Sequence, residues 1–208
     1  MAAGGRKEKA KSGADPGAAL SGIESQVRRA VSRGPAPVHL WNPPFCGDLD
    51  MRIAADGTWF YMGTPIGRMP LVRLFASVLR HDEDGKYYLV TPVEKAGITV
   101  DDAPFVAVAM SAAGGGKAQV LTFVTNVGDT VAVDDEHPLR FEIEQGSGGL
   151  KPYVLVRGRL EALVARAVYY DLVALAVHES IDGEESFGVW SSGDFYAMAP
   201  SSTVMEQQ

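Results

Sequence analysis

Between Trp41 and Gly67 the chain reads WNPPFCGDLDMRIAADGTWFYMGTPIG, and this stretch restricts the fold more than any other. Pro43-Pro44 cannot enter a helix interior or pair inside a central strand, because each ring fixes φ and removes an N–H donor. From Asp48 to Ala55 polar and apolar residues alternate with the period of a half-buried strand. Asp56-Gly57 predicts a two-residue hairpin turn with positive φ at both positions, and TWFYM (58–62) suits the returning strand. Gly63, Pro65 and Gly67 then break the sheet. In the first strand Asp48, Asp50 and Arg52 share one face, and Leu49, Met51 and Ile53 share the other. The apolar face belongs in a core; the polar face either meets solvent or lines a polar site.

Upstream, residues 1–18 are Ala, Gly, Lys and Ser with almost nothing to bury, and are expected to be disordered. Leu20, Ile23, Val27, Ala30 and Val31 predict a helix over 20–33 with Ser21 as N-cap, and docking on the body is its expected fate. Downstream, Leu71, Leu74, Phe75, Val78 and Leu79 predict a helix over 70–80, with Pro70 in the first turn. Strands are expected at 86–91, 98–100, 105–110, 120–125, 130–133, 139–144 and 153–157. An apolar stripe from Leu160 to Ala176 predicts the longest helix, over 160–177, and strands at 186–190 and 195–198 close the chain.

The pattern repeats. LVRLFASVLR (71–80) lies over VYYDLVALAV (168–177), and each is followed by a histidine, His81 or His178. An acidic turn ending in glycine and an aromatic strand come next in both halves, and a hairpin precedes each helix. A hairpin–helix–strand unit therefore occurs twice, about 97 residues apart. The expected class is α+β: a tail over 1–37, an N-terminal lobe over 38–103 and a C-terminal lobe over 104–208, each an antiparallel sheet backed by a helix. The seam between lobes is the expected place for a site.

Charge and cysteine narrow the chemistry. Residues 1–37 carry seven Lys/Arg against three acids, leaving a body of −11 within a net charge of −7. Such a body is ill suited to non-specific nucleic-acid binding, which rests on phosphate neutralisation. The single Cys46 excludes an internal disulfide, and no apolar run is long enough for a signal peptide or a membrane span, so a soluble cytoplasmic protein is expected. Standard catalytic motifs are missing. Gly114-Gly115-Gly116-Lys117 fails as a phosphate loop: Ala118 stands where a hydroxyl must hold magnesium, and a strand follows. Cys46 is expected to be a buried, inert thiol, and His81 and His178 to sit at helix C-termini. Asp134-Asp135-Glu136-His137 reads as a solvated acidic loop, and Asp171 as a charge either at the edge of its helix stripe or satisfied by a buried Arg or Tyr partner. No catalytic residue, metal ligand or cofactor is predicted.

WNPPFCGDLDMRI, DGTWFYMGTPIGR, LVRLF, YYLVTPVEKAGITVDDAPF and the later TNVGD resemble the uncharacterised proteobacterial domain-of-unknown-function family 1285. The resemblance runs from about Trp41 to Met198 and is looser in the second half. It implies a duplicated α+β core whose C-terminal half is superficially like a pleckstrin-homology fold. It also implies a small, nucleotide-like ligand at the interface of the halves and a role in signalling. Carried over by motif, the ligand-binding positions are Asn42, Asp48, Asp50, Arg52, Arg68, Glu94, Lys95, Thr125 and Asn126.

The leading expectation is thus a ligand-binding or sensory module. Arg52, Arg68 and Lys95 would meet anionic groups, and Trp41, Trp59 or Tyr61 would stack on a base. The alternatives are a small hydrolase using Asp48 and Asp50, which needs both carboxylates in one pocket, and an adaptor that docks another protein chain.

Overall fold

The structure, a computed structural model, describes residues 16–31, 36–144, 146, 148–181 and 183–200. The expected disorder of residues 1–15 and the expected helix end at residues 32–33 lie outside them. Helix α1 spans Pro16–Val31 and so takes in residues 16–18, which composition alone would leave without structure. Proline is well placed there, because a first-turn residue has no intrahelical use for its N–H. Val27 is 1 % exposed, Leu20, Ile23 and Val31 are partly buried against the core, and α1 docks on the body as expected.

The N-terminal lobe is one six-stranded sheet with a helix. Its strands are β1 (Phe45–Ile53), β2 (Trp59–Tyr61), β3 (Thr64–Pro65), β4 (Leu79–His81), β5 (Tyr87–Val90) and β6 (Lys95–Val100), with α2 (Met69–Ser77) between β3 and β4. The sheet order is β3-β2-β1-β6-β5-β4, antiparallel except where β1 runs parallel to β6. The β1–β2 turn differs from the sequence expectation. Gly57 N–H bonds Ala54 O at 2.8 Å, Ala54 N–H bonds Thr58 O at 2.9 Å, and only Gly57 takes positive φ (+81°). This is a three-residue loop, a turn followed by a left-handed residue, so Asp56 needs no special conformation. Helix α2 ends before the predicted Arg80, because Leu79, Arg80 and His81 pair with Leu89, Tyr88 and Tyr87.

The C-terminal lobe holds β7 (Phe105–Ala113), β8 (Val120–Thr125), β9 (Thr130–Ala132), β10 (Leu139–Ile143), β11 (Leu150–Arg157) and β12 (Leu160–Val164). These form a second six-stranded sheet, β10-β11-β12-β7-β8-β9, in which β12 runs parallel to β7. Helix α3 (Arg166–Val173) follows, then a three-stranded sheet of β13 (Val177–Ile181), β14 (Glu184–Ser191) and β15 (Asp194–Pro200). The long helix predicted over 160–177 is therefore corrected to strand, short helix and strand. Leu160, Ala162 and Val164 are buried in alternation with half-buried Glu161 and Leu163, which is a strand's period.

The duplication of an α+β lobe is plain in the sheets. Read from the opposite end, the second sheet runs β9-β8-β7-β12-β11-β10, so both sheets order their strands third, second, first, sixth, fifth, fourth. Both also put the parallel pair in the middle, joining two three-stranded meanders. The hairpin–helix–strand succession does occur in each half, yet strand order matches β1 with β7 and β6 with β12. In that register α2 is inserted between the third and fourth strands of the first lobe, and α3 follows the sixth strand of the second.

The two lobes share one buried core, which runs from Met51, Trp59 and Phe75 through Phe105 and Phe123 to Leu172 and Val189. Trp59 stacks on Phe75 at 6.3 Å, and its indole N–H finds no acceptor among the described residues. The tip of the β14–β15 hairpin is bolted to the large sheet through fully buried Ser191. Its hydroxyl donates to Val133 O at 2.7 Å and accepts from Leu121 N–H at 3.0 Å. No helix among the described residues is long and apolar enough to cross a membrane.

Candidate functional site

Asn126, Thr125 and Arg157 stand at the seam between the lobes. Asn126, in the β8–β9 turn, accepts Val106 N–H at 3.1 Å through Oδ1, donates its own N–H to Val106 O at 2.8 Å, and reaches Gly57 O of the first lobe at 3.4 Å through Nδ2. Thr125 is buried and closes the same turn, its hydroxyl accepting Asp129 N–H at 3.0 Å. Arg157, at the end of β11, forms an ion pair with Asp129, donates to Ala76 O of α2 at 2.8 Å, and stands 4.9 Å over the Phe105 ring. A second bridge joins the edges: His81 Nδ1 lies 3.1 Å from Arg159 O, and Arg159 pairs with Glu83 at 3.1 Å.

A cavity of about 220 Å³ opens at this seam. Ala36 comes from the segment just ahead of the first lobe, Arg73, Ala76 and Ser77 from its helix α2, and Val127, Asp129 and Arg157 from the second lobe. Arg73 is exposed and has no partner among the described residues, so its guanidinium is available to an incoming anion. Ser77 donates its hydroxyl to Leu74 O at 2.6 Å. Neither Ser77 nor the Arg157-bound Asp129 is therefore poised as a nucleophile or base.

Two more concavities stand out among the described residues. One, of about 480 Å³, is a polar hollow formed by His39 and residues 80–84. In its wall Asp82 is gripped by Arg80 (Nε–Oδ1 2.5 Å) and Lys95 (Nζ–Oδ2 3.1 Å), while Arg80 also ties down Val38 O and Trp41 O. The Tyr88 phenol donates to Asp84 at 2.6 Å and is pushed up to about 12, because ionising it would set two anions against each other. The other, of about 930 Å³, lies wholly within the C-terminal lobe, between the β10–β11 end of the sheet, α3 and the β14–β15 hairpin.

The nine positions predicted from sequence do not converge, and none of them lines any of these three concavities. Asp48, Asp50 and Arg52 do share an exposed face of β1. Asp48 lies over Gly97 of β6, so close that a Cβ there would stand 2.1 Å from its Oδ1. Arg52 pairs with Asp101 and covers the Phe60 ring at 4.7 Å. Arg68 is spent on α1, holding Glu24 at 2.8 Å together with Arg28, and these two guanidinia lower the Glu24 carboxyl. Glu94 closes a turn on Thr91, Lys95 serves Asp82, and Asn42 is an exposed loop residue ahead of β1. Thr125 and Asn126 alone stand at the seam, as its framework.

Other expectations shift too. Trp59 and Tyr61 are buried, which removes both as base-stacking platforms. Cys46 is exposed, not buried, because β1 begins at Phe45 with its first residues beyond the core. His81 and His178 lie in β4 and β13, several residues past the helix ends. Asp134 accepts the backbone N–H groups of Glu136 (3.0 Å) and His137 (2.8 Å), so the acidic loop before Pro138 is a carboxylate-closed turn. The sequence reading missed Arg73, Asp129 and Arg157. Asp129 ends the Asn126-Val127-Gly128 turn that composition does mark, whereas nothing local distinguishes either arginine from a surface residue.

Two meanders joined through a parallel pair, repeated and packed on one core, define the class of protein. Family models match both halves: residues 36–103 the N-terminal domain described as "Domain of unknown function (DUF1285)", and residues 104–198 the C-terminal domain described as "Protein of unknown function (DUF1285)". The chain belongs to the DUF1285 family. A crystal structure of a DUF1285 family protein from Silicibacter pomeroyi DSS-3 is 52 % identical, with a TM-score of 0.79 over 86 % of this chain and 95 % of that one. Another, from Shewanella baltica OS155, is 29 % identical with a TM-score of 0.48 over 61 % of this chain and 91 % of that one. No curated protein matches the chain in sequence.

Proposed function

We propose that this protein is a non-catalytic, ligand-binding sensory module that takes the anionic group of a small molecule, such as a nucleotide phosphate, at its inter-lobe seam. The observation that carries this reading is the seam cavity with Arg73, whose guanidinium has no partner among the described residues, at its wall and Arg157 beside it. A planar guanidinium fork matches phosphate and carboxylate geometry. At about 220 Å³ the cavity is below the ~300–1,000 Å³ of pockets that enclose whole ligands, so it suits the anionic end, with the remainder on the rim. A ligand that engages Arg73 of α2 and competes with Asp129 for Arg157 alters the coupling between the lobes, which gives binding a mechanical output suited to signalling. Hydrolysis by Asp48 and Asp50 has less support, because both carboxylates face outward and line none of the three concavities.

Thermal-shift measurements against nucleoside phosphates, cyclic dinucleotides and sugar phosphates test the reading. A ligand at a hundredfold excess over its Kd is expected to raise Tm by about 5–10 °C, and Arg73→Ala to remove most of that shift. The reading fails if no anionic compound stabilises the protein, or if Arg73→Ala responds as the native chain does.

A further inference from the structure

The cavity of about 930 Å³ in the C-terminal lobe is distinct from the seam and shares no residue with it. It is where the lobe's apolar interior runs out between its layers. On β10 and β11, Ile143 and Leu150 pair across the sheet and line its first wall. Val173 and Tyr169 of α3 form the second wall, and Phe187 and Met198 of the small sheet form the third. Ile143 is left 72 % exposed and Tyr170 57 %. An apolar concavity of this size lies within the range that encloses a small molecule. Its three walls suit a narrow, flexible chain better than a flat protein face.

Charge selects the class of ligand. Residues 104–200 contain six Lys/Arg against thirteen Asp/Glu, yet the cavity wall holds two of those cations, Arg166 and Lys151, and a single acid, Glu144. Lys151 is engaged by Asp102, which also accepts the Tyr153 hydroxyl at 2.8 Å. Arg166 is exposed and donates only through Nε, to Tyr170 Oη at 3.0 Å, leaving its two terminal nitrogens without an acceptor among the described residues. In an acidic lobe, one apolar cavity carries an available guanidinium at its rim.

We infer that this cavity binds an amphipathic anion, an acyl-type chain lying along Ile143, Leu150, Val173 and Phe187 with its anionic head on Arg166. Saturated carboxylates of increasing length, titrated calorimetrically into the full chain below their micelle concentrations, test it. Affinity is expected to rise about fourfold per added methylene from octanoate to dodecanoate. Dodecanoate is expected to bind more tightly than dodecyltrimethylammonium. Arg166→Glu should weaken dodecanoate about tenfold without weakening the ammonium compound, and Val173→Trp, which fills the cavity, should weaken both. Arg73→Ala should leave dodecanoate binding unchanged, which separates this site from the seam. Arg166 is on the surface, so its variant keeps the test decisive should Val173→Trp fail to fold. Affinity independent of chain length, or an equal response to both head groups, overturns the inference. A dimer in light scattering that Ile143→Asp dissolves does so too, because a second copy would then occupy the cavity.

Discussion

Gly57 meets two separate demands. Its φ of +81° is a left-handed value that a side chain disfavours, and a Cβ there would stand 2.5 Å from Asn126 Nδ2 and 3.0 Å from Val106 Cγ2. The hairpin tip can lie against the second lobe only without a side chain. Gly57→Ala is therefore expected to cost about 1–3 kcal/mol, read as a lower urea midpoint with an unchanged slope. Asp82 makes a pH-dependent counterpart. Burial alone would raise its carboxyl, but Arg80 and Lys95 outweigh it, and the net is a lowering from 3.8. A carboxylate lowered in the folded state stabilises the fold above its unfolded value, and that contribution is lost as pH falls through the folded one. Asp82→Asn should therefore lower stability by about 1–2 kcal/mol near neutrality. The gap in Tm between the two proteins should close below about pH 4; a gap that stays constant to pH 3 would refute the assignment.

Helix α1 shows how a segment with modest apolar content is recruited. Fully buried Val27 anchors it, and Glu24 fixes its orientation by bridging Arg28 of the same helix and Arg68 at the start of α2. Burying a charge at the anchor removes the contact without touching either sheet. Val27→Asp is expected to release the helix and to speed tryptic cleavage at Arg28 and Arg29 by roughly tenfold or more, while the far-UV signature of the sheets persists. Helix α3 teaches the converse. Leu160 to Ala176 satisfies a helical stripe, but the same run contains the period-two set Leu160, Ala162 and Val164, and the sheet claims it because Val164 pairs with Ala107 of β7. Where both periods fit, the available partner decides.

A shared core with bridging side chains makes the two lobes one cooperative unit. Arg157 ties β11 to both the β8–β9 turn and the α2 backbone, and Asn126 joins β7, β8 and the first lobe's hairpin. Calorimetry is expected to show a single transition with coincident near- and far-UV melts. Arg157→Ala should lower that one transition, by about 1–3 kcal/mol, and should not split it. Two resolved transitions in the native protein would mean that the seam does not couple the lobes.

Local chemistry by itself determined much of this molecule. Turn residues and alternation placed β1, β2, β5, β8 and β10, because a strand with one buried face needs period two whatever its partners are. They also placed the exposed face of Asp48, Asp50 and Arg52, the docking stripe of α1 and the duplicated α+β plan. The motifs from Trp41 to Phe105, with the later TNVGD (125–129), carried the family resemblance. The tertiary structure alone decided how the repeat is registered, since strand order depends on which edges meet after the chain has crossed over. It alone decided where the cavities lie, because Arg73, Asp129 and Arg157 are distant in sequence and ordinary in their surroundings. The polar strand face that looked most like a site is paired internally or open to solvent. The cavities at the seam and in the C-terminal lobe formed elsewhere, where separate parts of the fold meet without closing completely.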